Sequence, residues 1–385
     1  MQSMQNQVMV QEIMQAFAVR TGLGIDTVNT KRYLWTDAFA VCNFLGLYQE
    51  TGDSTYKALA LKLIDEVHDV LGHYSPDDSR SGWISGLSEE EGEKHPTQGG
   101  LRIGKPILER RGDEPYDAQL EWDRDGQYFH YLSKWMHALS RVTQVTGDPR
   151  YNRWAIELAK SAHAKFTYTD ASIMQKRMVW KMSVDLTRPL VSSMGQHDAL
   201  DAWIIYNELQ AVSLSEESDQ TVSDLHIEIE EAKNMCQLNR MLTDDSLGLG
   251  GLLSDAYLCA QVMPEESLFV HKMLQSSAEG LRLYLDGDNR LNYPAEHRLA
   301  FRELGLAIGL KAIKKMQHLF PDEPLVTHLE QYQPLAEEII HFWLSKENQQ
   351  NSTWQEHIDI NSVMLATALA PQGYHELHKG EDYEK

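Results

Sequence analysis

The distribution of apolar residues around successive helices constrains this chain more than any single motif does. Over residues 34–48 they fall on every face (Leu34, Trp35, Ala38, Phe39, Val41, Cys42, Phe44, Leu45, Leu47), and a helix apolar all round is buried all round. Residues 55–71 differ. Tyr56, Leu59, Ala60, Leu63, Ile64 and Val67 make one stripe, and Lys57, Lys62, Asp65, Glu66 and Asp69 take the opposite face, as expected of an outer helix. The alternation recurs along the chain: inner 128–142 with outer 151–163, 199–209 with 222–236, 252–262 with 266–285, and 299–313 with 325–343. Residues 358–369 end the series, and their outer mate is 8–17 at the other terminus. About six inner and six outer helices on this spacing predict an all-α chain of hairpins closing into one double-walled ring.

A core usually stops growing at roughly 250–300 residues, but a ring escapes that limit because each hairpin brings its own section of core. The expectation is therefore one domain over residues 1–370, followed by a charged tail at 371–385.

A direct repeat supports the hairpins. Thr51-Gly52-Asp53-Ser54-Thr55-Tyr56, then Ala60, Leu63 and His68, matches Thr146-Gly147-Asp148-Pro149-Arg150-Tyr151, then Ala155, Leu158 and His163. Glycine in the left-handed region ends the inner helix, and aspartate caps the outer one. With this junction the chain resembles the six-hairpin glycosidase-like (α/α)6-barrel superfamily over nearly its whole length. The resemblance implies an (α/α)6 toroid of six inner and six outer helices. It also implies a carbohydrate site in the ring's mouth, built from segments leading into inner helices. Members are mostly glycoside hydrolases, with sugar epimerases, unsaturated-uronide hydrolases and polysaccharide lyases beside them.

Residue placement agrees with that implication. Links from inner to outer helix are short and plain, whereas links from outer to inner helix are long and carry Trp, His, Arg and carboxylates. The first holds Asn29, Thr30, Lys31, Arg32, Tyr33, Trp35 and Asp37; the second runs from His73 to Asp125 with Trp83, Arg102, Trp122 and Asp123. The third, from Thr167 to His197, contains Trp180, Lys181 and Arg188, with a short strand pair expected over 173–182. The last two carry Glu296 and His297, then Trp354 and His357. Long connections of this kind are usually functional.

Glycosidic cleavage needs a carboxylic acid to protonate the leaving oxygen and a second carboxylate to attack or to activate water. The candidates are Asp123 or Asp125 paired against Asp198, with Trp122 supplying the apolar contact that raises an acid's pKa. Plainer roles compete: Asp125 as a helix N-cap, Asp198 as a first-turn charge, Asp37 in an ion pair with Arg32. The substrate-binding candidates are Trp35, Asp37, Trp83, Arg102, Trp122, Gln127, His130, Lys181, Arg188, His197, Glu296, His297, Trp354 and His357. The histidines (His130, His197, His297, His357) keep open an epimerase working by proton abstraction and return. The basic residues Arg102, Lys181, Arg188 and Arg298 keep open a sugar bearing carboxylate or phosphate. A sugar-binding module without catalysis is the third reading.

The formal charge of −22 disfavours nucleic acid and anionic membrane as partners. No apolar run approaches the ~20 residues of a membrane span, and residues 1–7 lack the basic and apolar regions of a secretory signal, so the expected location is cytoplasmic. Cys42, Cys236 and Cys259 indicate neither disulfides nor zinc, and neither metal nor cofactor is expected. Gly99-Gly100-Leu101-Arg102-Ile103-Gly104-Lys105 begins like a phosphate-binding loop, but Pro106 stands where Ser or Thr is required. Gly248 to Gly251 is expected to form a tight turn.

Overall fold

The computed structural model of the chain describes residues 2–23, 31–214, 224–287 and 290–377. Asn29 and Thr30, the first two positions of the expected 222–236 helix, and residues 378–385 of the expected tail lie outside them. The helices are α1 (Gln2–Arg20), α2 (Leu34–Thr51), α3 (Ser54–Leu71), α4 (Glu89–Lys94), α5 (Ala118–Asp123), α6 (Phe129–Thr146) and α7 (Pro149–Phe166). Then come α8 (Asp198–Leu214), α9 (His226–Met235), α10 (Ser246–Val262), α11 (Ser267–Asp286) and α12 (Ala300–Leu319). The last are α13 (Pro324–Glu330), α14 (Gln333–Leu344), α15 (Lys346–Gln349), α16 (Ser352–Gln355), α17 (Ile358–Leu369) and α18 (Gln372–His375). Among the described residues no helix is long and apolar enough to cross a membrane.

The chain forms two compact units. The first draws on Ala18–Leu45 and Ser54–Cys236. Here α6 packs on α7 and α8, and α8 packs on α9. Burial follows the sequence pattern: α6 is buried on every side, down to Ser133, Lys134, His137 and Arg141, whereas α7 buries one face through Tyr151, Ala155, Leu158 and Ala162. The buried polar groups of α6 find partners on α8, with His137 Nδ1 2.7 Å from Glu208 and Lys134 Nζ 3.5 Å from Asp201.

The connection 72–126 is not structureless. It contains α4 and α5, and Asp117 caps α5 by accepting from the Leu120 N–H. Five short strands follow: β1 (Gln127–Tyr128), β2 (Thr167–Asp170), β3 (Gln175–Met178), β4 (Lys181–Met182) and β5 (Pro189–Val191). β2 and β3 form a hairpin, and β4 lies antiparallel between β1 and β5. The strand pair expected over 173–182 is thus two different pairings, because β3 returns to β2 while β4 pairs with the segment entering α6.

The second unit draws on Met1–Phe17, Gly46–Asp53 and Gln237–Leu377. α12 is its centre, packed on α10, α13, α14 and α17. The expected turn at Gly248 to Gly251 is instead the start of α10, which Asp245 caps through the Gly248 N–H. These glycines serve helix contact: a Cβ on Gly250 would stand 2.0 Å from the Gly305 carbonyl oxygen, and one on Gly309 2.3 Å from that of Gly250. The expected outer helix over 325–343 breaks into α13 and α14. The expected tail starts too early, since α18 lies within 371–385 and buries Gly373, Tyr374 and His375, with His375 Nε2 3.0 Å from Ser254 Oγ.

The sequence repeat is one junction built twice. Thr51 and Thr146 each donate to the carbonyl four residues back, at 2.6 and 2.7 Å, and accept from the N–H of Asp53 and Asp148. Gly52 and Gly147 both have φ of 72°, where a Cβ is strained.

Candidate functional site

Within the first unit, the first turns of α2, α6 and α8, the strand β1 and the end of α5 supply an aromatic floor and two aspartates beside it. β1 pairs Tyr128 with Lys181 of β4 and buries it. The next residues open α6, and His130 stacks on Tyr128 with ring centroids 5.4 Å apart and planes at 12°. Tyr131 stands edge-on to both rings, and its hydroxyl lies 2.7 Å from that of Tyr33. Trp35, one residue into α2, sits 5.3 Å from Tyr131 and 6.0 Å from His130. On the far side Trp180 lies 5.1 Å from Tyr128 and 5.0 Å from Trp122. Trp122 is 55% exposed, which offers an open stacking face of the kind sugar rings occupy.

Asp198 begins α8 beside this floor, its Oδ1 3.9 Å from His130 Nδ1. Burial and the neighbouring Asp201 push its carboxyl up to about 8, against the weaker pull of the Gly195 N–H and Lys134. Asp201 itself accepts from Ser133 Oγ and Lys134 Nζ. Among the described residues Asp198 Oδ2 is buried without a hydrogen-bond partner, and so is the indole N–H of Trp35. The loop is shaped for this carboxyl, since a Cβ on Gly195 would stand 2.2 Å from Oδ2. Burial, partly offset by Asp201, lowers His130 to about 4, so its imidazole is neutral near pH 7.

Asp123 ends α5 and is exposed, and its side chain has no hydrogen bond or ion pair among the described residues. Its charge acts on Lys105 and Tyr128. The expected candidates Trp35, Trp122, Asp123, His130 and Asp198 are therefore gathered here, with Lys181 beneath Tyr128 at 5.4 Å from its ring.

Other candidates have structural duties. Asp125 is the anion of a buried pair: Oδ2 takes Arg102 Nη1 at 2.6 Å, and Oδ1 accepts from the N–H groups of Gly104 and Lys105. A strand follows it rather than a helix, so it caps nothing. Arg102 also donates to the carbonyls of His73 and Val70, which commits it to holding the loop. Gln127 is buried and ties Gly99, Leu101 and Val184 together. Lys181 is buried against Glu121, 2.9 Å away. Trp83 packs in the interior on His73 and against Gly92. Arg188 donates to the Arg110 carbonyl, Asp37 faces Arg32 at 3.7 Å, and His197 gives its carbonyl to the Asp201 N–H.

Glu296, His297, Trp354 and His357 belong to the second unit. Trp354 is buried and stacks on Trp343 at 5.7 Å, so it is core. His357 stands edge-on to Phe301, Glu296 accepts from Asn351, and His297 is exposed beside Tyr293.

Sequence reasoning passed over Tyr131, Asp201 and Lys134, and left Tyr33, Tyr128, Lys105 and Trp180 without a site role. The signal for two of them was the run Tyr128-Phe129-His130-Tyr131 at an inner-helix start, and Asp201 lies one turn beyond Asp198. Among the described residues no group of three or more His, Cys, Asp or Glu side chains is arranged to hold a metal ion.

No protein-family model matches the chain. No curated protein matches it in sequence. Solved structures do match in fold. A family 76 glycoside hydrolase from a bovine Bacteroides thetaiotaomicron strain aligns with TM-score 0.54 at 11% identity, over 96% of this chain and 77% of that one. An inactive variant of an α-1,6-mannanase from Salegentibacter, with two aspartates replaced by asparagine and α-1,6-mannotriose bound, aligns with TM-score 0.53 at 14% identity, over 95% and 99%. A sugar epimerase from a ruminal bacterium aligns with TM-score 0.51 at 10% identity, over 94% and 98%. The chain has the six-hairpin (α/α)6 fold of these proteins.

Proposed function

We propose that the chain is a glycoside hydrolase in which Asp198 is the general acid and Asp123 the second carboxylate. One observation carries the reading: a buried carboxyl, raised to about 8 and with one oxygen that meets no hydrogen-bond partner among the described residues, stands beside an aromatic floor whose other flank bears the exposed carboxylate of Asp123. A carboxylic acid still protonated near pH 7 can protonate a leaving oxygen, while an exposed carboxylate serves as nucleophile or as base for water. Trp122 provides the stacking face. Asp125 drops out of the pair, because Arg102 and two backbone N–H groups occupy both of its oxygens. The first substrate to try is α-1,6-mannotriose, the ligand of the mannanase variant of like fold.

The test is incubation with α-1,6-mannotriose and a panel of other oligosaccharides, followed by NMR. New reducing-end anomeric signals that vanish in Asp198→Asn and in Asp123→Asn support the reading. Turnover undiminished in both variants removes it.

A second reading rests on His130, a neutral imidazole 3.9 Å from a carboxylic acid. That pair suits proton abstraction and return next to a carbonyl, the chemistry of an epimerase. The same spectra distinguish it: inversion at C2 without new reducing ends, retained in Asp123→Asn and lost in His130→Gln, would replace hydrolysis by epimerisation.

A further inference from the structure

The loops around Tyr128 are dense in cations, and most are neutralised in place. Arg80 faces Asp78, Glu109 and Asp185. Arg102 pairs with Asp125, Arg110 and Lys181 share Glu121, and Arg124 pairs with Glu114. Lys105 and Arg188 have no carboxylate at ion-pair distance among the described residues, and of the two Lys105 touches the aromatic floor. Its ammonium donates to the Trp122 carbonyl and, at 3.0 Å, to the Tyr128 hydroxyl, and it lies 5.0 Å from the Tyr128 ring centroid.

Those contacts fix the ammonium without neutralising it. An ammonium has three N–H donors, and neutral acceptors take two of them here. Among the described residues the third has no acceptor, and the ammonium lies by the Tyr128 ring, to which the Trp122 indole stands edge-on at 6.5 Å between centroids. Burial and the nearby Lys181, partly offset by the charges of Asp123, Asp125 and Glu121, lower the Lys105 amine to about 8, a cost that an incoming anion in direct contact would offset further. In a chain with a formal charge of −22, a held and unpaired cation at a stacking face is a feature with a direction.

We propose that Lys105 reads an anionic group, a carboxylate or a phosphate ester, on the saccharide ring that stacks against Trp122. The inference rests on the saccharide-binding part of the reading above, though not on cleavage. A charge-assisted hydrogen bond from the ammonium would account for a preference on the order of tenfold to a hundredfold over the neutral sugar.

The experiment compares Kd values, by calorimetry at low salt, for α-1,6-mannotriose, its terminal 6-carboxylate and its terminal 6-phosphate. The protein is tested as wild type, Lys105→Gln and Lys105→Arg. The expected result is tighter binding of at least one acid by tenfold or more, a ratio falling to near one in Lys105→Gln, and substantial retention in Lys105→Arg. Which acid gains more identifies the group. Equal or weaker binding of both acids, a preference that survives Lys105→Gln, or no binding of any of the three overturns the inference. Preference without cleavage would remove the hydrolase and leave this inference standing; cleavage of the neutral sugar without preference would do the reverse.

Discussion

Two buried aspartates in the first unit, Asp125 and Asp198, meet opposite fates, and the proposed chemistry rests on their difference. Asp125 is surrounded by donors, with Arg102 at 2.6 Å and two backbone N–H groups. Asp198 receives one backbone N–H, faces a second carboxylate at Asp201, and among the described residues keeps one oxygen without a partner. Burial alone makes neither residue catalytic. A buried carboxylate surrounded by donors serves stability, and one deprived of them holds its proton and can give it away. On the proposed reading, the protein spends stability at Asp198 to keep that acid.

Four substitutions press on this contrast. Asp198→Asn has the largest effect: it removes the proton donor and is expected to lower kcat by about 10²–10⁴-fold, with KM nearly unchanged in steady-state assays. Because Asn replaces a group already neutral near pH 7, its Tm should hold or rise. Asp125→Asn should reverse that pattern, stranding the buried Arg102 guanidinium and costing about 3–5 kcal/mol in denaturant unfolding. If Asp125→Asn proved as stable as wild type and Asp198→Asn unfolded, the two roles would have been exchanged.

pH dependence sharpens the comparison. Native Asp198 holds its proton up to about 8, whereas the unfolded chain releases it near 3.8. Between those values the native state binds more protons, so this group lowers stability by about 1.4 kcal/mol per pH unit as pH rises. His130 works in the opposite direction between about 4 and 6.5, because its native imidazole stays neutral where the unfolded one is charged. The stability difference between Asp198→Asn and wild type isolates the aspartate, and it should grow from pH 5 to 8 and then level off. Hydrolysis should decline as pH rises through about 8.

The smaller effects lie at the edges. Trp122→Ala removes the exposed stacking face and should raise KM by roughly tenfold, about 1.4 kcal/mol, with less change in kcat. Gly147→Ala, at φ 72°, should cost about 1 kcal/mol of stability and leave kcat and KM as they are.

The helical alternation was readable because burial all round leaves an unmistakable mark on α6, and the repeated Thr-Gly-Asp junction fixed where hairpins turn. The break between α13 and α14 was not readable, since both halves continue one apolar stripe. The glycines at 248–251 misled because glycine marks both a turn and a close helix contact, and only the position of Gly305 and Gly309 on α12 decides between them. At the site, Asp198 and Trp122 stood out as residue types in a suitable place. What separates Asp125 from Asp198 is a guanidinium 23 positions away in sequence for one (Arg102 to Asp125) and, among the described residues, the lack of any for the other. Such long-range pairing leaves no local trace. Lys105 was hidden for the same reason, being notable for the carboxylate it does not meet.

The most direct test is the titration of Asp198 itself, followed through its carboxyl carbon by ¹³C NMR of aspartate-labelled protein and assigned by the signal that Asp198→Asn removes. The account predicts a midpoint near pH 8. A midpoint near 4, the ordinary range for an aspartate, would contradict it.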